Sequence, residues 1–240
     1  MIPTGYLTVV LTGILVIVVS KALDALWARM ITVRGIYMLV RVPGIVVHEC
    51  SHILGCLLTG AKVENVVFLS KDGGSVTYSP SPLPFLGDVI INSAPLFCIP
   101  LVLYGCTWIF STYLGCIIPV LQPAIGSADA LSIMAGQIAG MFAGNLIYRF
   151  NPWFLLYLYL TVSLVLSLAP SGQDMKNAVL GIVIIVAAGA LIFWSNYGPA
   201  VNILRTMVNI IGISFGLALG FGVIALVISL PLLIVYAHRH

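Results

Sequence analysis

Pro43-Gly44-Ile45-Val46-Val47-His48-Glu49-Cys50-Ser51-His52-Ile53-Leu54-Gly55-Cys56-Leu57-Leu58-Thr59 sets two histidines and a glutamate in the middle of an otherwise apolar run. A helix needs about 20 such residues to cross the hydrocarbon core of a bilayer, and this run comes close. The rest of the chain fixes its solvent. Of 240 residues, 61% are hydrophobic and 7% charged, with a mean hydropathy of +1.16. A soluble domain carries roughly 25% charged residues, so the outer surface here must meet lipid. The expected fold is an α-helical polytopic membrane protein, a single membrane-embedded domain over residues 1–240. Its core is expected at 43–177, with 178–240 as scaffold helices.

Outward from that run, further apolar windows lie at 4–20, 89–110, 153–168, 178–194 and 209–236. With 43–59 they make about six spans, plus or minus one. A weaker stretch, 131–148, carries Gly136, Gly140 and Gly144, a spacing that lets helices approach closely. The run at 6–20 lacks a basic leader and a small-residue cleavage site, so it is read as a retained span. Lys21, Arg29, Arg34 and Arg41 against Asp24 make the first connection the most basic, which puts it in the cytoplasm and the N-terminus outside. Net charge is only +3, without the basic runs that nucleic acid requires. The five cysteines sit in apolar stretches and read as small buried hydrophobes. The longest polar stretch, 62–84, has β-prone runs on either side of Lys71-Asp72-Gly73-Gly74, a hairpin signal. A plain extramembrane hairpin is one reading. The other lines a cavity at membrane depth, since a lipid-exposed sheet edge is excluded.

His48 and His52 stand at i and i+4, so both imidazoles leave one helix face a turn apart. That spacing lets two nitrogens reach one zinc ion while Glu49 stands beside the open coordination position as a general base. The alternative, two histidines satisfied by core hydrogen bonds, leaves a costly set of ionisable groups at membrane depth without function. A catalytic zinc usually takes a third protein ligand. His238 and His240 form the C-terminal tail, and Glu64 lies in the hairpin. Cys56 is about 12 Å along the helix from His48, too far for one ion. Asp72 sits on a glycine-rich turn, and Asp88 and Asp129 look like helix starts. Asp174 lies in Ala169-Pro170-Ser171-Gly172-Gln173-Asp174-Met175, where Pro170 and Gly172 interrupt two apolar runs. It is the favoured third ligand, against the reading that it only caps the following helix.

These residues resemble the site-2 protease family of intramembrane zinc metalloproteases. The likeness runs over 43–177: the His48-Glu49-Cys50-Ser51-His52 motif in an early span, then Gly74-Ser75-Val76, then Ser93-Ala94-Pro95-Leu96-Phe97, then an Asp after a proline-containing break. Where the family commonly has Gly-Pro-x-x-Asn, Ala94 and Cys98 occupy the outer positions. The family's Asp is commonly followed by Gly, and here Met175 follows Asp174. The chain would be a minimal, core-only member.

The resulting expectation is a zinc-dependent intramembrane endopeptidase with one zinc ion held by His48, His52 and Asp174. Glu49 would move the proton. Asn92, Val66 and Val76 are expected to touch substrate. The expected partners are the lipid bilayer and a membrane protein with a transmembrane helix, with the cell membrane as the expected location. Two rivals remain: a membrane zincin of another family acting on unfolded proteins, and a non-enzymatic metal-binding membrane protein.

Overall fold

A computed structural model describes residues 4–70, 73–83, 85–119 and 128–238. Asp72 and His240 lie outside them, as does the side chain of Asp129. The elements are α1 (Thr4–Met30), α2 (Arg34–Thr59), β1 (Val63–Ser70), β2 (Gly73–Tyr78), α3 (Leu86–Tyr113), α4 (Ala128–Phe142), a π-helical turn (Ala143–Tyr148), α5 (Pro152–Leu166), α6 (Gly172–Ser195) and α7 (Gly198–Ala237). Helices α1, α2, α3, α6 and α7 are long and apolar enough to cross a membrane, and α5 is a shorter apolar helix. The chain is an α-helical multi-pass membrane protein with a small antiparallel hairpin.

Helix α2 begins nine residues before Pro43, so the first connection shrinks to 31–33 and its basic residues sit on the ends of α1 and α2. Pro43 is tolerated because the bond it cannot make is replaced. It has no N–H for the carbonyl of Leu39, and the Tyr159 hydroxyl donates to that carbonyl at 2.8 Å. One turn on, Gly44 lets α5 approach until a Cβ would collide with the Ser163 carbonyl, and its own N–H donates to Ser163 Oγ at 2.9 Å. Gly55 does the same toward α3, where a Cβ would lie 2.7 Å from Ile91 Cα. Two glycines three turns apart thus let α2 pack backbone-close against two neighbours. The buried face between them carries His48, Glu49 and His52.

Directions follow from the contacts. Tyr159 meets Leu39, Ser163 meets Gly44 and Ser167 meets His48, so α5 runs parallel to α2. Helix α6 continues the same way: its start is beside His48, and its Phe193 meets Tyr6 edge-on near the beginning of α1. Helices α5 and α6 therefore run head to tail, with the break at 167–171 at the depth of His48. Helix α7 runs parallel to α1, with Val9 at Gly212, Gly13 at Phe215, Val19 at Gly222, and Trp27 Nε1 donating to Ser229 Oγ at 2.7 Å. Exposed aromatic residues gather at both ends, Trp194 and Tyr197 at one, Tyr113, Tyr148 and Trp153 at the other. Such belts mark membrane–water interfaces.

The hairpin pairs Val63 with Tyr78, Val66 with Val76 and Ser70 with Gly73. Gly73 and Gly74 belong to β2 rather than to the turn, with Gly73 at φ 114°, a conformation that glycine adopts freely. The base of the hairpin packs with Cys56, Ala61 and Ile91 at the end of α2. From there it folds back along α2. Tyr78 to Gly74 spans about 14 Å of strand, and Thr59 to Glu49 about 15 Å of helix, so the tip lies level with Glu49. The hairpin thus folds back along the apolar α2, as the cavity-lining reading expects.

Candidate metal centre

His48, His52 and Asp174 converge at the junction of α2, α3 and the α5–α6 break. One ligand atom from each lies within 4.8 Å of the others, the one such group among the described residues. Asp174 Oδ2 is 3.5 Å from both His48 Nε2 and His52 Nε2. Both histidines and Glu49 are buried, and Asp174 is only 13% exposed at its side chain.

The tautomers are set by the backbone. His48 Nδ1 lies 2.6 Å from the Ser167 carbonyl and His52 Nδ1 lies 2.8 Å from the Ile91 carbonyl. A carbonyl only accepts, so each Nδ1 carries a proton there and Nε2 is the ring nitrogen turned toward Asp174. Both carbonyls are free for a reason written in the chain. Ile91 is four residues before Pro95, which has no N–H to offer it inside α3. Ser167 lies just past α5, and the N–H four residues on, at Ser171, donates to Asp174 Oδ2 at 2.7 Å instead. Two helix interruptions thus orient the two imidazoles.

Two ring nitrogens and a carboxylate oxygen brought this close call for a metal cation or shared protons between them. Tetrahedral zinc with ligands at about 2.0–2.1 Å spaces them about 3.3 Å apart, near the 3.5 Å from Asp174 Oδ2 to each ring nitrogen, so the donor set suits zinc. The backbone bonds to Nδ1 are the outer-shell contacts usual for metal-binding histidines.

Asp174 has two roles at once. It is the N3 residue of α6, and its Oδ2 accepts from Ser171 N while Ser171 Oγ accepts from Asp174 N, a reciprocal capping box. The cap and ligand readings of this residue are therefore compatible, because the cap fixes the carboxylate where the histidines converge. Helix α6 starts at Gly172, earlier than the apolar pattern from 178 suggested, because that box nucleates it.

Glu49 faces the hairpin. A Cβ on Gly74 would stand 2.5 Å from Glu49 Cγ and 2.6 Å from its Oε1, so β2 passes backbone-first over the carboxylate. A cavity of about 420 Å³ opens beside it, lined by Glu49, Gly74, Ser171, Lys21, Asp24 and Arg41 among others. Asn92 is 2% exposed and ties α3 to the hairpin, its Nδ2 donating to Tyr78 Oη at 2.9 Å and to the Asp88 carbonyl at 2.7 Å. Burial raises the pKa of the Tyr78 hydroxyl, the Asn92 bond opposing it. Val66 and Val76 are cross-strand partners, both half-buried. His238, Glu64, Asp88 and Cys56 take no part in the ligand group. The reading of the residues by themselves missed Gly74, the carbonyls of Ile91 and Ser167, and the Lys21–Arg41 wall. The signals for the first three were a glycine doublet beside a β-prone run, Pro95 within an apolar run, and the Ser171-x-x-Asp174 helix start. The chain matches no family model, no curated protein and no solved structure.

Proposed function

We propose that this protein is a zinc-dependent endopeptidase that hydrolyses a peptide bond within or near a transmembrane segment of another membrane protein, and that it is a member of the site-2 protease family. The observation that carries this reading is the convergence of His48 Nε2, His52 Nε2 and Asp174 Oδ2 beside Glu49 in a multi-pass helical protein, with His48 and Glu49 lining a cavity. Three protein ligands and a neighbouring carboxylate are the parts of a hydrolytic zinc site with one open position. Zinc, when bound, supplies Lewis acidity toward water and the scissile carbonyl.

The chain's own residues do the remainder. Glu49 takes the proton of the attacking water and returns it to the leaving amine. The carbonyls of Ser167 and Ile91 hold the imidazoles in register. The hairpin offers backbone N–H and C=O groups to a substrate segment that has unwound and lost its own pairing.

Three forms of the purified protein test this: wild type, Asp174→Ala and Glu49→Gln, each measured for zinc content and for cleavage of transmembrane peptides. Wild type should hold one zinc and cut. Asp174→Ala should lose both properties. Glu49→Gln should keep zinc and lose about 10²–10⁴-fold in rate. Full zinc occupancy in Asp174→Ala, or undiminished cleavage by Glu49→Gln, overturns the assignment.

A further inference from the structure

The cavity beside Glu49 has a wall that hydrolysis itself does not require. Lys21 and Arg41 line it together with Asp24. Asp24 is already engaged, accepting from the Tyr37 hydroxyl at 2.6 Å and lying 3.2 Å from Arg41 Nε. Arg41 also lies over the Tyr37 ring, 5.5 Å from its centroid, which holds the guanidinium in place. Lys21 has no ion-pair partner among the described residues. It stands nine residues inside the end of α1, about 14 Å from Met30 along the axis. Lys21 is exposed in the fold, and an ionised lysine within an apolar span is rare and marks a functional site by default. The start of α6 at Ser171 and Gly172 lines the same cavity. The N–H groups of Ser171 and Asp174 are used by the capping box, while those of Gly172 and Gln173 belong to the unpaired first turn of a 24-residue helix. Among the described residues, two cations and a helix N-terminus thus face a space whose carboxylates are Asp24, committed to Tyr37 and Arg41, and Glu49, which lies under Gly74.

We infer that this wall is a carboxylate-binding subsite that selects substrates with an anionic group beside the cut. The inference rests on the peptidase reading above and names its substrate class. Arg41 precedes His48 by seven residues, about 10 Å along α2, and an extended peptide covers that distance in about three residues. The carboxylate recognised therefore sits about three residues from the scissile bond, toward the basic end of the protein. It is either an acidic side chain or a free C-terminal carboxylate. Membrane segments commonly carry Lys or Arg at that end, so such a subsite excludes most of them and admits a minority.

The test uses the full chain in detergent as the Glu49→Gln protein, so that binding is read without cleavage. Four labelled peptides are compared: Glu or Gln three residues from the central bond with an amidated end, and a shortened neutral peptide ending there as acid or amide. The acid member of at least one pair should bind about tenfold more tightly than its neutral counterpart, and that pair identifies the source. Adding Lys21→Gln should erase the difference. Equal binding within both pairs, or a difference that persists with Lys21→Gln, overturns the subsite. Cleavage by the zinc-loaded wild type separates the two ideas. Selective binding with no cleavage of any peptide removes the peptidase reading and leaves the subsite standing. Cleavage of acid and neutral peptides alike removes the subsite and leaves the peptidase.

Discussion

Because Pro95 has no N–H, the Ile91 carbonyl is left to accept from His52, and this makes a residue outside the ligand group a determinant of ligand geometry. Pro95→Ala would supply an amide four residues from Ile91 and set an intrahelical bond in competition with the imidazole. Loss of an outer-shell partner typically costs 10–100-fold in metal affinity. Zinc affinity measured by chelator competition should fall by about that factor in Pro95→Ala while the helix content is unchanged; unchanged affinity would mean that the His52 ring needs no such anchor. Gly74 belongs to the same scale. Its missing Cβ is the space in which the Glu49 side chain stands, so Gly74→Ala must push that carboxylate aside. A misplacement of about 1 Å at a reacting group costs about 10²-fold, so this variant should retain zinc and lose activity by about that factor. Wild-type turnover in Gly74→Ala would show that β2 yields instead. The grouping of His48, His52 and Asp174 was legible at this scale, because i, i+4 histidines and an Asp in a helix break have few other uses within apolar spans. The orienting carbonyls were not, since a proline states which bond is missing but not which side chain takes it.

At the level of elements, the hairpin shows what alternation in a sequence leaves open. Its two β-prone runs gave the strands and their approximate limits, but not the fold-back along α2, which depends on Ile91, Ala61 and Cys56 packing against the hairpin base. The tip descends to Glu49 because strand and helix cover matching lengths from that base. Strand β1 is the more exposed of the two and forms an outer edge, where an unwound substrate can add as a third strand. Proline at Val66 or Val76 would remove a ladder donor and distort that edge without touching the ligands. Both variants should fold and bind zinc at wild-type levels yet cleave poorly. Normal cleavage by both would reduce the hairpin to a cover over Glu49. The break between α5 and α6 is the other decisive element. Pro170 and Gly172 announced it, and the Ser171–Asp174 capping box was readable in the sequence as a helix start. What the apolar pattern could not convey is that the two helices run the same way, since hydropathy carries no direction.

Direction matters most for the whole molecule. With α5 and α6 in tandem they divide one crossing between them, and Asn151 Nδ2 donating to the Leu114 carbonyl at 2.8 Å holds the start of α5 beside the end of α3. Counting α1, α2, α3, the α5–α6 pair and α7 gives an odd number of crossings whatever α4 does between those two fixed points. The 31–33 connection, the 114–119 segment and His238 then share one face, and Gly60 and Asn196 share the other. Arg29, Arg34 and Arg149 all gather on the first face, while Lys62 and Arg205 stand toward the second. By the positive-inside rule this basic excess predicts a cytoplasmic first face, the same expectation that the first connection carries. His48 then lies about 21 Å along α2 from Arg34 and about 16 Å from Thr59, so the candidate metal centre is far from either end of that span. Single cysteines at Val33, Asn196 and His238, in a chain whose native cysteines are replaced, put this to the test with a membrane-impermeant maleimide on intact cells. Asn196→Cys should label at once, and Val33→Cys and His238→Cys only after permeabilisation. Labelling of Asn196→Cys and His238→Cys from the same side would break the tandem arrangement of α5 and α6. Labelling of all three in the reverse sense would keep that arrangement and invert the protein in its membrane.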